Sequence, residues 1–210
     1  MGTPLESAPR AHPLAALRRL ARPRALLERC ELCAAPLSSD HQHVIEPATR
    51  QVTCACDACA ILFGNQTRLR RIPRDAEYWP DFVLPDAQWE ALGVPIALAF
   101  FFRSSAQDHL VTMYPSPGGA TEAVLAEDVW NILCADNPQL ATLEADVEAL
   151  LVNRMRGARD YYRAPIDECF RLVGLVRAHW RGLSGGRAMW DQFDIFFRKL
   201  RERAGKRTHA

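Results

Sequence analysis

Apolar positions along the chain change their period from one stretch to the next, and each change predicts a different kind of element. HQHVIEP and RQVTCAC read as short strands around the turn-prone PAT, so a hairpin is expected there. PDAQWEALG predicts a helix with Asp86 as N-cap after Pro85 and Gly93 closing it. VPIALAFFFRS, apolar without interruption from Val94 to Phe102, predicts a buried strand, with DHLVTMYP as its antiparallel neighbour across SSAQD. PSPGGATEA reads as a loop, and Thr121 and Asp128 mark where helices begin; AEDVWNILCADNP predicts a helix ended before Pro138. In LATLEADVEALLVNR, Leu140, Leu143, Val147, Leu150 and Leu151 fall at helical spacing and predict a second helix.

After the arginine-rich connector RMRGARDYYR the pattern predicts two more helices. PIDECFRLVGLVRAHWRG has Pro165 in its first turn and a stripe of Ile166, Cys169, Phe170, Val173, Val176 and Trp180. AMWDQFDIFFRKLRER carries Trp190, Phe193, Phe197 and Leu200 on one side. The fold class expected is α+β: a small four-cysteine, zinc-ribbon-like hairpin module at 27–64, a mixed α/β domain at 65–153 and a helical hairpin packed on it at 154–210. Residues 1–26, interrupted by Pro4, Pro9, Pro13 and Pro23, read as a poorly ordered arm with one short helix from Leu14 to Leu20.

Composition narrows this picture. With 49% apolar residues among 210, a sizeable core is expected. The 26 basic and 25 acidic side chains nearly cancel, which argues against a protein whose whole surface follows a phosphate backbone. TRLRRIPR, with Arg68, Arg70, Arg71 and Arg74, and RMRGARDYYR, with Tyr161 and Tyr162 as stacking groups, are candidate nucleic-acid patches. The neutral total favours solvated faces or docking surfaces for an acidic partner. YPSPGGA and LSGGR continue into neither a P-loop nor a dinucleotide fingerprint and read as turns. Arginines and prolines break every apolar run near the start, and the run from Val94 to Phe102 is too short for a membrane span, so a cytoplasmic protein is expected. In a reducing compartment, clustered cysteines point to metal or redox chemistry.

CELC and CACDAC supply that cluster. Two CxxC pairs about twenty residues apart are the arrangement that brings four thiolates to one tetrahedral ion. Cys30, Cys33, Cys56 and Cys59 are the expected metal ligands, since the second pair repeats the spacing of the first, and Cys54 is then the extra. The set Cys30, Cys33, Cys54 and Cys59 is an alternative that lengthens the last loop. Zn2+ is the expected ion, with iron in a rubredoxin-like site or an iron–sulfur cluster as the alternative that would make the module an electron carrier. Four cysteine ligands leave no open position for a catalytic water, so a non-catalytic role is expected. His41 and His43 read as exposed or as satisfied by hydrogen bonds in the hairpin, and Cys134 and Cys169 as small buried hydrophobes.

Two resemblances rest on these residues. CELC, HQHVIEP and CDAC are similar to the HNH nucleases, which would make His43 a general base beside a second metal ion; Ala60 and the stretch AILFGNQ depart from that family where its remaining ligands belong. The same blocks, taken with RRIP, IALAFFFRSS, YPSPGGATEA and PIDECFRLVGLVRAHWRGLSGG, resemble an uncharacterised bacterial family, mainly actinobacterial, encoded beside uptake NiFe hydrogenase genes. That resemblance implies a context: a metal-binding accessory protein of hydrogenase biogenesis or function, acting through contact with hydrogenase subunits or maturation factors.

Overall fold

The computed structural model describes residues 28–66, 68–123, 127–181 and 185–205; the expected arm at 1–26 lies outside them. The expected hairpin is present as β1 (Gln42–Glu46) and β2 (Gln51–Ala55), in antiparallel register with His43 opposite Cys54. A short β3 (Arg70–Arg71) pairs with the free side of β1, and α1 (Asp57–Phe63) follows β2 after a single residue.

A larger antiparallel sheet contains β4 (Glu77–Tyr78), β5 (Leu98–Ser104), β6 (His109–Ser116), β7 (Gly119–Ala123), β8 (Glu148–Asn153) and β9 (Asp160–Pro165) in the order β4-β9-β8-β5-β6-β7. Strand side chains alternate between faces, and here both faces are covered. Phe100, Phe102, Ala149, Leu151, Tyr162 and Ala164 meet α4 (Ile166–His179) and α5 (Arg187–Gly205). Ala99, Phe101, Leu150, Val152 and Tyr161 meet Trp79, Phe82 and Leu84, α2 (Asp86–Ala91), α3 (Glu127–Asp136) and the 3-10 turn at Pro138–Thr142.

This double burial explains where the sequence reading failed. A strand covered on both sides is apolar at every position, as Ala149 to Val152 are, and over such a run helical and strand periods are indistinguishable. The predicted helix over LATLEADVEALLVNR is therefore a 3-10 turn followed by β8, and the connector RMRGARDYYR carries β9. The predicted loop PSPGGATEA is the end of β6, a tight turn and β7, with Gly119 at φ 125° where the chain reverses. Thr121 thus lies in a strand. Asp86 is the first residue of α2 rather than its cap, and its carboxylate receives Arg154 and Arg159. Gly93, at φ 67°, does close α2.

The two C-terminal helices follow the expected stripes. Ile166, Cys169, Val173 and Val176 of α4 and Phe193, Phe197 and Leu200 of α5 are buried. The two helices touch each other, and α4 also crosses β6 and β8. The small sheet is tied to this assembly: Ile45 of β1 and Ile72 after β3 belong to the same core cluster as α4 and α5.

Candidate metal centre

The first cysteine pair lies on a turn closed by the Ala34 N–H donating to the Cys30 carbonyl at 2.7 Å, with Ala34 in the left-handed region at φ 61°. The Cys30 N–H returns to the Ala35 carbonyl at 2.8 Å. The second pair is built by α1. Cys56 caps the helix, its sulfur accepting from the Cys59 N–H at 3.5 Å, so the helix start aims Cys59 back at Cys56. The two knuckles are stitched together by the Glu31 N–H to the Cys54 carbonyl at 3.0 Å and the Cys54 N–H to the Glu31 carboxylate at 2.6 Å.

The Sγ atoms of Cys30, Cys33, Cys56 and Cys59 consequently lie within 4.8 Å of one another. Cys30 and Cys59 are buried and Cys33 faces outward, 3.7 Å from the sulfur of Cys56. Burial alone would raise the Cys30 thiol pKa; backbone groups of Cys56, Leu32 and Cys33 turned to its sulfur, with the Cys33 thiol, bring it down to about 6. Burial and then hydrogen bonding with Cys33, Cys56 and Cys30 push Cys59 up to about 12. One thiolate is thus favoured at neutral pH while a like charge beside it is opposed. A divalent cation removes that opposition, and a set of four sulfurs this close can hold one.

Large apolar side chains are exposed beside the centre. Leu32 of the first knuckle and Ile61, Leu62 and Phe63 of α1 are large hydrophobic side chains exposed to solvent, the middle pair at 65% each. Leu32, Phe63 and Leu69 also line a groove of about 550 Å³ whose polar wall is Glu31, Glu46, Gln51 and Arg68.

Cys54 does not join the four-sulfur group; its donor atom lies within 4.8 Å of those of His41 and His43 instead. His43 does not satisfy itself inside the hairpin: its Nδ1 meets the Asp167 carboxylate of α4 at 2.7 Å. That bond raises the His43 pKa against the opposing effect of burial. Local sequence gives no sign of this contact, because Asp167 is remote in sequence and only packing of α4 on the small sheet brings it there. The signal present was HxH with a cysteine on the facing strand, and the register that makes Cys54 face His43 depends on turn geometry.

Other candidates have structural explanations. Tyr161 and Tyr162 are buried in β9, at 4% and 0% exposure, and offer no stacking surface. Arg70 pairs with Asp146 at 3.2 Å and with Glu144, Arg68 with Glu46 at 3.0 Å, and Arg74 with Asp40. Arg154 is buried under α2, donating to the Leu84 carbonyl and stacked over Trp89 at 5.5 Å. Cys169 is wholly buried, which drives its thiol pKa far up.

A family model described as "Family of unknown function (DUF5947)" matches residues 29–204. The chain belongs to this family. The DUF5947 match takes in both knuckles, both sheets and nearly all of α5. No curated protein and no solved structure matches the chain. Among the described residues no helix is long and apolar enough to cross a membrane.

Proposed function

We propose that the chain is a metal-stabilised interaction protein in which Cys30, Cys33, Cys56 and Cys59 bind one Zn2+ ion and so fix a docking surface for another protein. The observation that carries this is the conjunction of two features: four sulfurs converge within 4.8 Å, and Leu32, Ile61, Leu62 and Phe63 project into solvent from the same two knuckles. Singly exposed apolar residues are ordinary, but three large ones in succession on α1, with Leu32 and Phe63 lining one groove, suit a contact surface. Four protein ligands would leave the ion no open position, which suits a structural role. Resemblance to the family encoded beside uptake NiFe hydrogenase genes supplies the partner: a hydrogenase subunit or maturation factor.

Metal analysis with an absorption spectrum of the purified protein tests the ion. A colourless protein holding zinc in the four-cysteine set is expected; sulfur-to-iron charge-transfer bands would overturn zinc and make the module an electron carrier. The partner is tested by capture of hydrogenase subunits on the tagged chain. Ile61→Glu and Leu62→Glu should abolish capture while metal content and thermal stability stay unchanged. A deletion strain with fully matured, fully active hydrogenase would remove the hydrogenase part of this proposal.

A further inference from the structure

Three donor side chains that the four-cysteine set does not use meet beside it on the small sheet. Cys54 faces His43 across β1 and β2, and His41, two residues before His43, lies on the same side. The histidine rings stand edge to face with centroids 4.8 Å apart. In both rings Nδ1 is already engaged. His41 Nδ1 lies 2.9 Å from the Ser38 carbonyl, which can only accept, and 3.5 Å from the Glu28 carboxylate, so Nδ1 carries a proton and, in the neutral ring, Nε2 presents its lone pair. His43 Nδ1 is held by the Asp167 carboxylate. His41 is the decisive residue: its side chain is 9% exposed, and its Nε2 is buried with no hydrogen-bond partner. A buried acceptor left unsatisfied calls for an explanation, and an ion is a partner that a bare nitrogen lone pair takes directly.

We propose that His41 Nε2, His43 Nε2 and Cys54 Sγ form a second metal site, separate from the four-cysteine centre, for a divalent transition ion. Two imidazoles and one thiolate suit zinc and its neighbours rather than calcium or magnesium, whose ligands are oxygens. Bond lengths of about 2.0–2.3 Å place tetrahedral donors roughly 3.3–3.8 Å apart, and one ring nitrogen of each histidine and the Cys54 sulfur already lie within 4.8 Å of one another. Asp167 and the Ser38 carbonyl orient the rings as the outer shell of such sites does. Three protein donors leave one position free. Both histidines line a cleft of about 390 Å³, with Asp167, Glu168, Arg74 and Arg171 around it.

Cobalt titration of the full-length protein, its four-cysteine centre already loaded with zinc, tests the proposal. A further equivalent of Co2+ should bind with tetrahedral ligand-field bands and a thiolate-to-cobalt charge-transfer band. His41→Gln and His43→Gln should each abolish that equivalent, and Cys54→Ser should remove its charge-transfer band, all three keeping the zinc and the melting temperature. Asp167→Asn should weaken cobalt binding by about 10–100-fold. Absence of a further equivalent in the wild type, or spectra indifferent to the histidine and Cys54 changes, would overturn the second site. Loss of the zinc in Cys54→Ser would place Cys54 in the four-cysteine centre and overturn it as well. His41→Gln separates the two readings, since it removes a second-site donor and leaves all four cysteines of the zinc centre in place.

Discussion

Ala34 holds a left-handed backbone, φ 61°, that costs an L-residue about 1–2 kcal/mol, and it does so because the first knuckle must reverse there. Glycine adopts that conformation freely but loses more freedom on folding, by roughly 0.5–1 kcal/mol. Ala34→Gly should therefore raise the stability of the metal-loaded protein by up to about 1 kcal/mol in urea unfolding. The cysteines separate in the same residue-by-residue way. Cys33 is exposed and Cys169 wholly buried with its thiol pKa far up. After chelation of the metal an alkylating reagent followed by mass spectrometry should label Cys33 quickly, and Cys169 only once denaturant is added. The close approach of Cys30, Cys33, Cys56 and Cys59 was legible in the sequence because knuckle spacing is local. The partner of His43 was not, because the aspartate that holds it is 124 residues away.

At the scale of elements, α1 meets β3 through Gly64. Its N–H donates to the Ala60 carbonyl at 3.0 Å and its carbonyl accepts from the Arg71 N–H at 2.6 Å. A methyl group there would collide with the Ala60 carbonyl and stand 2.6 Å from Arg71 Cβ. Gly64→Ala should destabilise the fold by about 1–3 kcal/mol, visible as a lower urea midpoint, and loosen the helix that carries Cys59. Amphipathic elements were readable: the hairpin, α2, α3, α4 and α5 each show a face to solvent and a face to the core, and their period survives in the sequence. β8 and β9 do not. Their side chains are buried on both sides of the large sheet, so Ala149 to Val152 form an unbroken apolar run, and the helical spacing of Leu140, Leu143, Val147 and Leu150 was coincidental.

The whole molecule rests on clusters of unequal strength. Two line the faces of the large sheet and are rich in aromatic and aliphatic side chains; the third, around Cys30, Leu37, Val44, Ala55, Cys59 and Ala60, is small. Phe101, fully buried in β5, should cost about 3–5 kcal/mol when replaced by alanine, measured by chemical denaturation. The small cluster carries little apolar surface, so the proposed ion is expected to hold the two knuckles together. Chelation should accordingly release amide-exchange protection over residues 28–40 and 54–64 while the strands of the large sheet keep theirs; uniform loss across the chain would show that the sheet depends on the metal. The sequence by itself determined the cysteine pairs, the hairpin between them, the amphipathic helices and the balance of charge, because each depends on neighbours within a few residues. Only the tertiary structure decided the order of the large sheet, the burial of Tyr161 and Tyr162, the seating of Arg154 and the grouping of Cys54 with His41 and His43. Those outcomes depend on which distant segments share a face, and strand register and helix docking set that through packing across the core.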